Sequence, residues 1–90
     1  MHTSIEWDAG KAAANRRKHG VSFDEAVTAL LDPRALARED GFAEGETRWI
    51  LLGMSARPRL LTVVYTLRGD ERIRLISARK ATRREAVFYA

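Results

Sequence analysis

Three apolar, strand-like runs occupy the second half of the chain, at residues 48–54, 59–67 and 72–78, and only short connectors separate them. The connectors are Ala56-Arg57-Pro58 and Arg68-Gly69-Asp70, both turn-forming. Parallel neighbours need a crossover of a dozen or more residues, so connectors this short impose an antiparallel meander. The rest of the chain has to pack against that sheet. Ile5-Glu6-Trp7 reads as a short strand, and Asp8 as the N-cap of a helix through about His19, stopped by Gly20. Ser22-x-x-Glu25 is a capping box that opens a second helix to about Leu31, closed by Asp32-Pro33. Residues 34–46 are acidic and punctuated by glycine, and read as a loop with a short edge strand at 35–38. Thr82-x-x-Glu85 is a second capping box, starting a last helix that runs toward Tyr89. The order β-α-α-β-β-β-α predicts a single α+β domain over residues 1–90, an antiparallel meander with helices on one face.

The chain has no cysteine, which excludes disulfides, thiolate zinc sites and thiol nucleophiles and fits a reducing cytoplasm. No run approaches the roughly 18 apolar residues of a membrane span, and MHTSIEWD lacks the apolar stretch of a secretory signal. No membrane contact is expected. The formal charge is +4, and its distribution is uneven. Between Arg57 and Arg84 the nine basic residues Arg57, Arg59, Arg68, Arg72, Arg74, Arg79, Lys80, Arg83 and Arg84 face only Asp70 and Glu71, whereas acids dominate residues 24–46. A basic half of this kind attracts polyanions. A solvated, solubilising surface is the plain alternative, but lysine would serve solubility equally well, and the guanidinium fork suits phosphate.

Arg72 and Arg74 share one face of the last strand, and Ile73 and Leu75 the other. Strict alternation would then turn Arg79 toward the core, so the strand is expected to end there with Arg79 re-aimed at its tip. Arg83 and Arg84 stand in the first helical turn, where cations oppose the macrodipole by about 0.3–1 kcal/mol each when exposed. With Arg79 and Lys80 they form an R-K-A-T-R-R cluster that reads as an anion site at a helix start. On the first helix, Lys11, Asn15 and Lys18 share a face, with His19 at its end. His19 serves either as a cap or buried group, or as a general acid or base. Tyr89 stands either as a stacking or proton-transferring group or as terminal surface, and Trp7 and Trp49 read as core. There is no glycine-rich phosphate loop, no metal-ligand spacing and no Ser-His-Asp arrangement, so neither a cofactor nor a metal is expected.

I-E-W-D at 5–8, K-x-x-x-N-x-x-K-H-G-V-S-F at 11–23, D-P at 32–33 and R-L-I-S-A-R-K-A-T-R-R-E at 74–85 together resemble the BrnT toxin family, nearly end to end. Gly10 departs from the family, where proline is common at that position. The resemblance implies a RelE-like fold and metal-independent ribonuclease activity. It also implies a BrnA antitoxin, which neutralises the toxin and carries the DNA-binding domain, so that DNA is met only through it. Carried over from RelE-like enzymes, it points to Arg79, Lys80, Arg83 and Tyr89 at the RNA, with Lys18 and His19 nearby. Two functions fit the residues. One is an endoribonuclease in which the ribose 2′-hydroxyl attacks the phosphate. The other is a non-catalytic nucleic-acid-binding module with the same basic face.

Overall fold

The computed structural model describes residues 4–69 and 71–89, so Asp70 of the last connector lies outside it. The elements are β1 (Ser4–Glu6), α1 (Ala9–His19), α2 (Phe23–Leu30), β2 (Leu36–Ala43), β3 (Glu46–Met54), β4 (Leu60–Arg68), β5 (Arg72–Lys80) and α3 (Arg83–Ala86). They build a five-stranded sheet in the order β1-β5-β4-β3-β2. The expected meander is present as β3, β4 and β5, and the fold is α+β.

In the arrangement of its elements the structure differs from the sequence reading in three places. Residues 34–46 were expected to be mostly loop, yet β2 pairs with β3 along its whole length, so the meander has four strands. An edge strand needs a partner on one side only, and it tolerates charge and glycine. A register shift between Glu39 and Gly41 lets the chain pass Asp40 without breaking the ladder. The sheet is also mixed, because β1 lies parallel to β5 at Arg72–Arg74. Third, the helices do not share one face. α1 and α2 cover one side, while α3 ends after four residues and lies on the other, where Glu85 meets Thr62 and Arg79.

Local chemistry explains the boundaries. Asp8 accepts from the Lys11 amide at 2.9 Å, and Gly20 closes α1 in the left-handed conformation at φ 71°. Ser22 accepts from the Glu25 amide at 3.1 Å, which starts α2. Glu25 does not complete that box, because its carboxylate is taken by Arg59 and Ser55. The core lies between α2 and the sheet, with Val21, Phe23, Leu61, Val63 and Leu75 almost fully buried. Trp7 packs edge-on against Phe23 with ring centroids 5.9 Å apart, and Trp49 packs against the same core. α2 comes so close to β3 that a Cβ on Gly53 would sit 2.5 Å from the Ala29 carbonyl oxygen.

Candidate functional site

The sheet face away from α1 and α2 carries the arginines. On β5, Ile73 and Leu75 point at the helices and Arg72 and Arg74 point away from them. A bulge then resets the alternation: Tyr65 pairs with Leu75 and Val64 with Ser77, which leaves Ile76 as the extra residue. Ala78 therefore returns to the core side, and Arg79 stands on the same open face as Arg74. The strand does not end at Ala78 but continues through Lys80, so Arg79 is aimed by the bulge rather than by a frayed tip. Lys80, of opposite parity, is exposed at the sheet margin.

Arg79 is held by Glu85. One guanidinium nitrogen donates to Glu85 Oε1 at 2.8 Å and the other to Oε2 at 2.9 Å. Glu85 Oε1 also accepts from the Thr62 hydroxyl at 3.0 Å and from the Thr82 amide at 2.8 Å. The Thr82 hydroxyl in turn accepts from the Glu85 amide at 3.1 Å, so the second capping box is complete. These donors, the Arg79 guanidinium first, hold the Glu85 carboxyl down at about 2. Sequence reasoning treats Glu85 only as a helix cap. The register that sets Arg79 opposite Thr62 is what reveals it as the centre of a cluster.

Beside this cluster a cavity of about 330 Å³ opens between β2 and α3, lined by Leu36, Arg38, Ile50, Leu52, Glu85 and Phe88 among others. Leu36 and Phe88 are exposed along it. Tyr89 donates to Asp32 and ties the segment after α3 to the loop after α2. That hydrogen bond pushes the Tyr89 phenol above its usual range, so it stays protonated through neutral pH.

The remaining candidates divide by layer. Arg83 and Arg84 are exposed on α3, and Arg74 is exposed on β5. Together with Lys80, these residues make no ion pair among the described residues. α3 is a single turn, too short for its peptide dipoles to add up to much, and the Thr82 amide is already taken by Glu85. The basic character there comes from the side chains. Lys18 and His19 end α1, in the layer on the opposite face of the sheet from Arg79. Asn15, on the same helix, is buried and bonded to the main chain of β5. The structure thus brings Arg72, Arg74, Arg79, Arg83 and Arg84 toward one face and does not bring His19 or Lys18 to it.

Much of the arginine excess is matched within the chain. Asp40 lies 3.7 Å from Arg48 and 3.9 Å from Arg38, Glu46 lies 2.7 Å from Arg68, and Glu6 lies 3.4 Å from Arg72. Asp40 and Glu46, from the acidic stretch of the sequence, fold onto the same face as the bases, and Glu6 joins them there. No helix among the described residues is long and apolar enough to cross a membrane.

Residues 7–85 match the family model described as the ribonuclease toxin BrnT of the type II toxin–antitoxin system. The chain is similar in fold to the crystal structure of the Brucella abortus ribonuclease toxin BrnT. The TM-score is 0.65 and the identity 24%, over 90% of this chain and 99% of that one. No curated protein sequence matches the chain.

Proposed function

Because the chain belongs to the BrnT family of ribonuclease toxins of type II toxin–antitoxin systems, we propose that it cleaves RNA on the open sheet face, without a metal ion, by attack of the ribose 2′-hydroxyl on the adjacent phosphate. The observation that carries this reading is Arg79, which the β5 bulge places on the same face as Arg72 and Arg74 beside an apolar cavity. A guanidinium fork there meets the charge that builds on the pentavalent phosphorane, and a well-aimed charge stabiliser contributes about 10²–10³-fold. Arg72 and Arg74 carry the strand along the face, and Lys80, Arg83 and Arg84 hold phosphates at its margin. Arg79 stays charged and cannot be the base. His19 and Lys18 gain no support for that role from their position in the α1 layer. The Tyr89 phenol is a donor toward Asp32 rather than a proton acceptor.

The family implies an antitoxin partner. We take it to be BrnA-like and to cover this face in the cytoplasm with an acidic or amphipathic segment, matching the unpaired cations and the exposed Leu36 and Phe88. The complex would then meet DNA only through the antitoxin.

A labelled single-stranded RNA incubated with the purified chain in EDTA tests the reading. The products should end in 2′,3′-cyclic phosphate, and adding the antitoxin should stop their formation. Arg79→Ala should lower the rate at least about 10²-fold while the fold survives. RNA that is bound but never cleaved would leave only a binding module, and a folded Arg79→Ala cleaving at the parental rate would remove Arg79 from the chemistry.

A further inference from the structure

We propose that Glu85 is the general base of the cleavage, the group that takes the proton from the attacking 2′-hydroxyl. The assignment rests on the ribonuclease reading above. A base has to stand within hydrogen-bond reach of a hydroxyl next to the phosphate held by Arg79. Among the described residues, the other acids that meet arginines on the open face are Glu6 on Arg72, Asp40 on Arg48 and Arg38, and Glu46 on Arg68, and none of them is on Arg79. Glu85 is the carboxylate in direct contact with Arg79.

The two oxygens of Glu85 are held differently, and the difference suits the task. Oε1 keeps the Thr62 hydroxyl and the Thr82 amide when Arg79 turns away. Among the described residues, Oε2 is held by Arg79 alone. A phosphate entering the guanidinium fork replaces a carboxylate with another two-oxygen acceptor. It arrives next to Glu85 and frees Oε2 while Oε1 fixes the side chain. The same event switches on the base. The Arg79 hydrogen bonds are the largest cause holding the free carboxyl near 2, and their transfer to a phosphate, together with the phosphate charge, raises its proton affinity. The adjoining cavity, lined by Leu36, Ile50, Leu52 and Phe88, gives the nucleoside a place to lie with its ribose toward Glu85.

The step balances without a co-reactant. Oε2 accepts the 2′-hydroxyl proton, the O2′–P bond forms and the P–O5′ bond breaks. The 5′ oxygen takes a proton from water at the open rim. Glu85 later returns its proton to water.

Glu85→Gln is the first test, because glutamine also completes a capping box and so preserves α3. With saturating single-stranded RNA, kcat should fall about 10²–10⁴-fold while RNA affinity is retained. Wild-type kcat should rise with pH through a limb at or above 4.5, the ordinary glutamate value, and that limb should vanish in the variant. Among the described residues, the groups facing Glu85 are Arg79 from β5, Thr62 from β4, Thr82 at the start of α3 and Arg38 across the cavity from β2, and none of them is a carboxylate or an imidazole. As a second variant, Glu85→Ala should regain part of its rate on addition of formate. A Glu85→Gln protein with parental kcat overturns the assignment. So does one that is slowed yet keeps the acid limb, since Glu85 would then only position Arg79, and so does an alanine variant indifferent to formate. If the wild type cleaves no RNA at all, the ribonuclease reading itself fails and takes this assignment with it.

Discussion

Asn15 does for β5 what a neighbouring strand would otherwise do. Among the described residues, β1 pairs with β5 only at Arg72–Arg74, and no strand borders the outer edge of β5 at Ala78. The Asn15 carboxamide fills that gap: its nitrogen donates to the Ala78 carbonyl at 2.8 Å and to the Val21 carbonyl at 2.9 Å, and its oxygen accepts from the Ala78 amide at 3.1 Å. One side chain thereby fixes the strand two residues past the bulge, immediately before Arg79. Asn15→Leu keeps the bulk but leaves three main-chain groups without partners, at about 1–3 kcal/mol for each buried group. The expected loss is about 3 kcal/mol or more, read as a lower urea midpoint with little change in slope. The sequence periodicity grouped Asn15 correctly with Lys11 and Lys18. It did not show that Asn15 is only 6% exposed while both lysines stand in solvent. Spacing along a helix identifies a stripe, but whether a polar residue on it meets water or a bare strand edge depends on what packs there. Glu85 is a similar case. Its capping role is local and legible from four consecutive residues, whereas its hold on Arg79 needs the β4–β5 register.

Among the elements, α2 is the one most firmly tied to the sheet. The Glu25 carboxylate, 7% exposed, accepts from Arg59 at 2.6 and 2.7 Å and from the Ser55 hydroxyl at 2.8 Å. Thr28 accepts from the Ala56 amide and Asp32 from the Met54 amide, each at 2.8 Å. All of these contacts bind α2 and its following loop to the turn between β3 and β4. Glu25→Gln should cost about 3 kcal/mol at neutral pH, the low end for breaking a buried pair, because the Arg59 side chain remains 24% exposed. The cost should depend on pH. The Arg59 hydrogen bond holds the folded Glu25 carboxyl below its ordinary value of 4.5 against the effect of burial. Below that pH the unfolded chain takes up a proton that the folded chain resists, so this contribution is complete at neutral pH and fades on acidification. Thermal melts of the two proteins between pH 7 and pH 3 should converge as the pH falls. The start of α2 was legible in Ser22-x-x-Glu25 because a cap is local. The fate of the Glu25 side chain was not, because a charged fork 34 residues away is a stronger partner than the Ser22 amide. β2 was hidden for a related reason: its charges and Gly41 read as loop, and only pairing to β3 makes them an edge strand.

At the scale of the whole molecule, folding redistributes the charge that the sequence lays out in blocks. Asp40, Glu46 and Glu6 come to lie on the arginine face, and Glu85 comes to lie on Arg79. The total stays at +4, but the cations free to meet an incoming polyanion become a smaller set than the linear count suggests. On and beside the open face that set is Arg74, Lys80, Arg83 and Arg84, which form no ion pair among the described residues. Counterion release makes the set measurable, since each phosphate neutralised on a single strand contributes about 0.7 to the slope of log K against log salt. Replacing both Arg83 and Arg84 with glutamine should flatten the slope by up to about 1.4 if each meets one phosphate. Both side chains are exposed on a helix with no buried residue, so the fold should be unaffected. The comparison is Lys11→Gln with Lys18→Gln, two exposed cations on α1 in the opposite layer, which should leave the slope unchanged. Binding should be measured with an Arg79→Ala protein, so that the RNA stays intact during the titration. Should the α1 pair flatten the slope and the α3 pair leave it unchanged, the RNA would run over the helical layer, past Lys18 and His19, and the open face would lose its claim to the substrate.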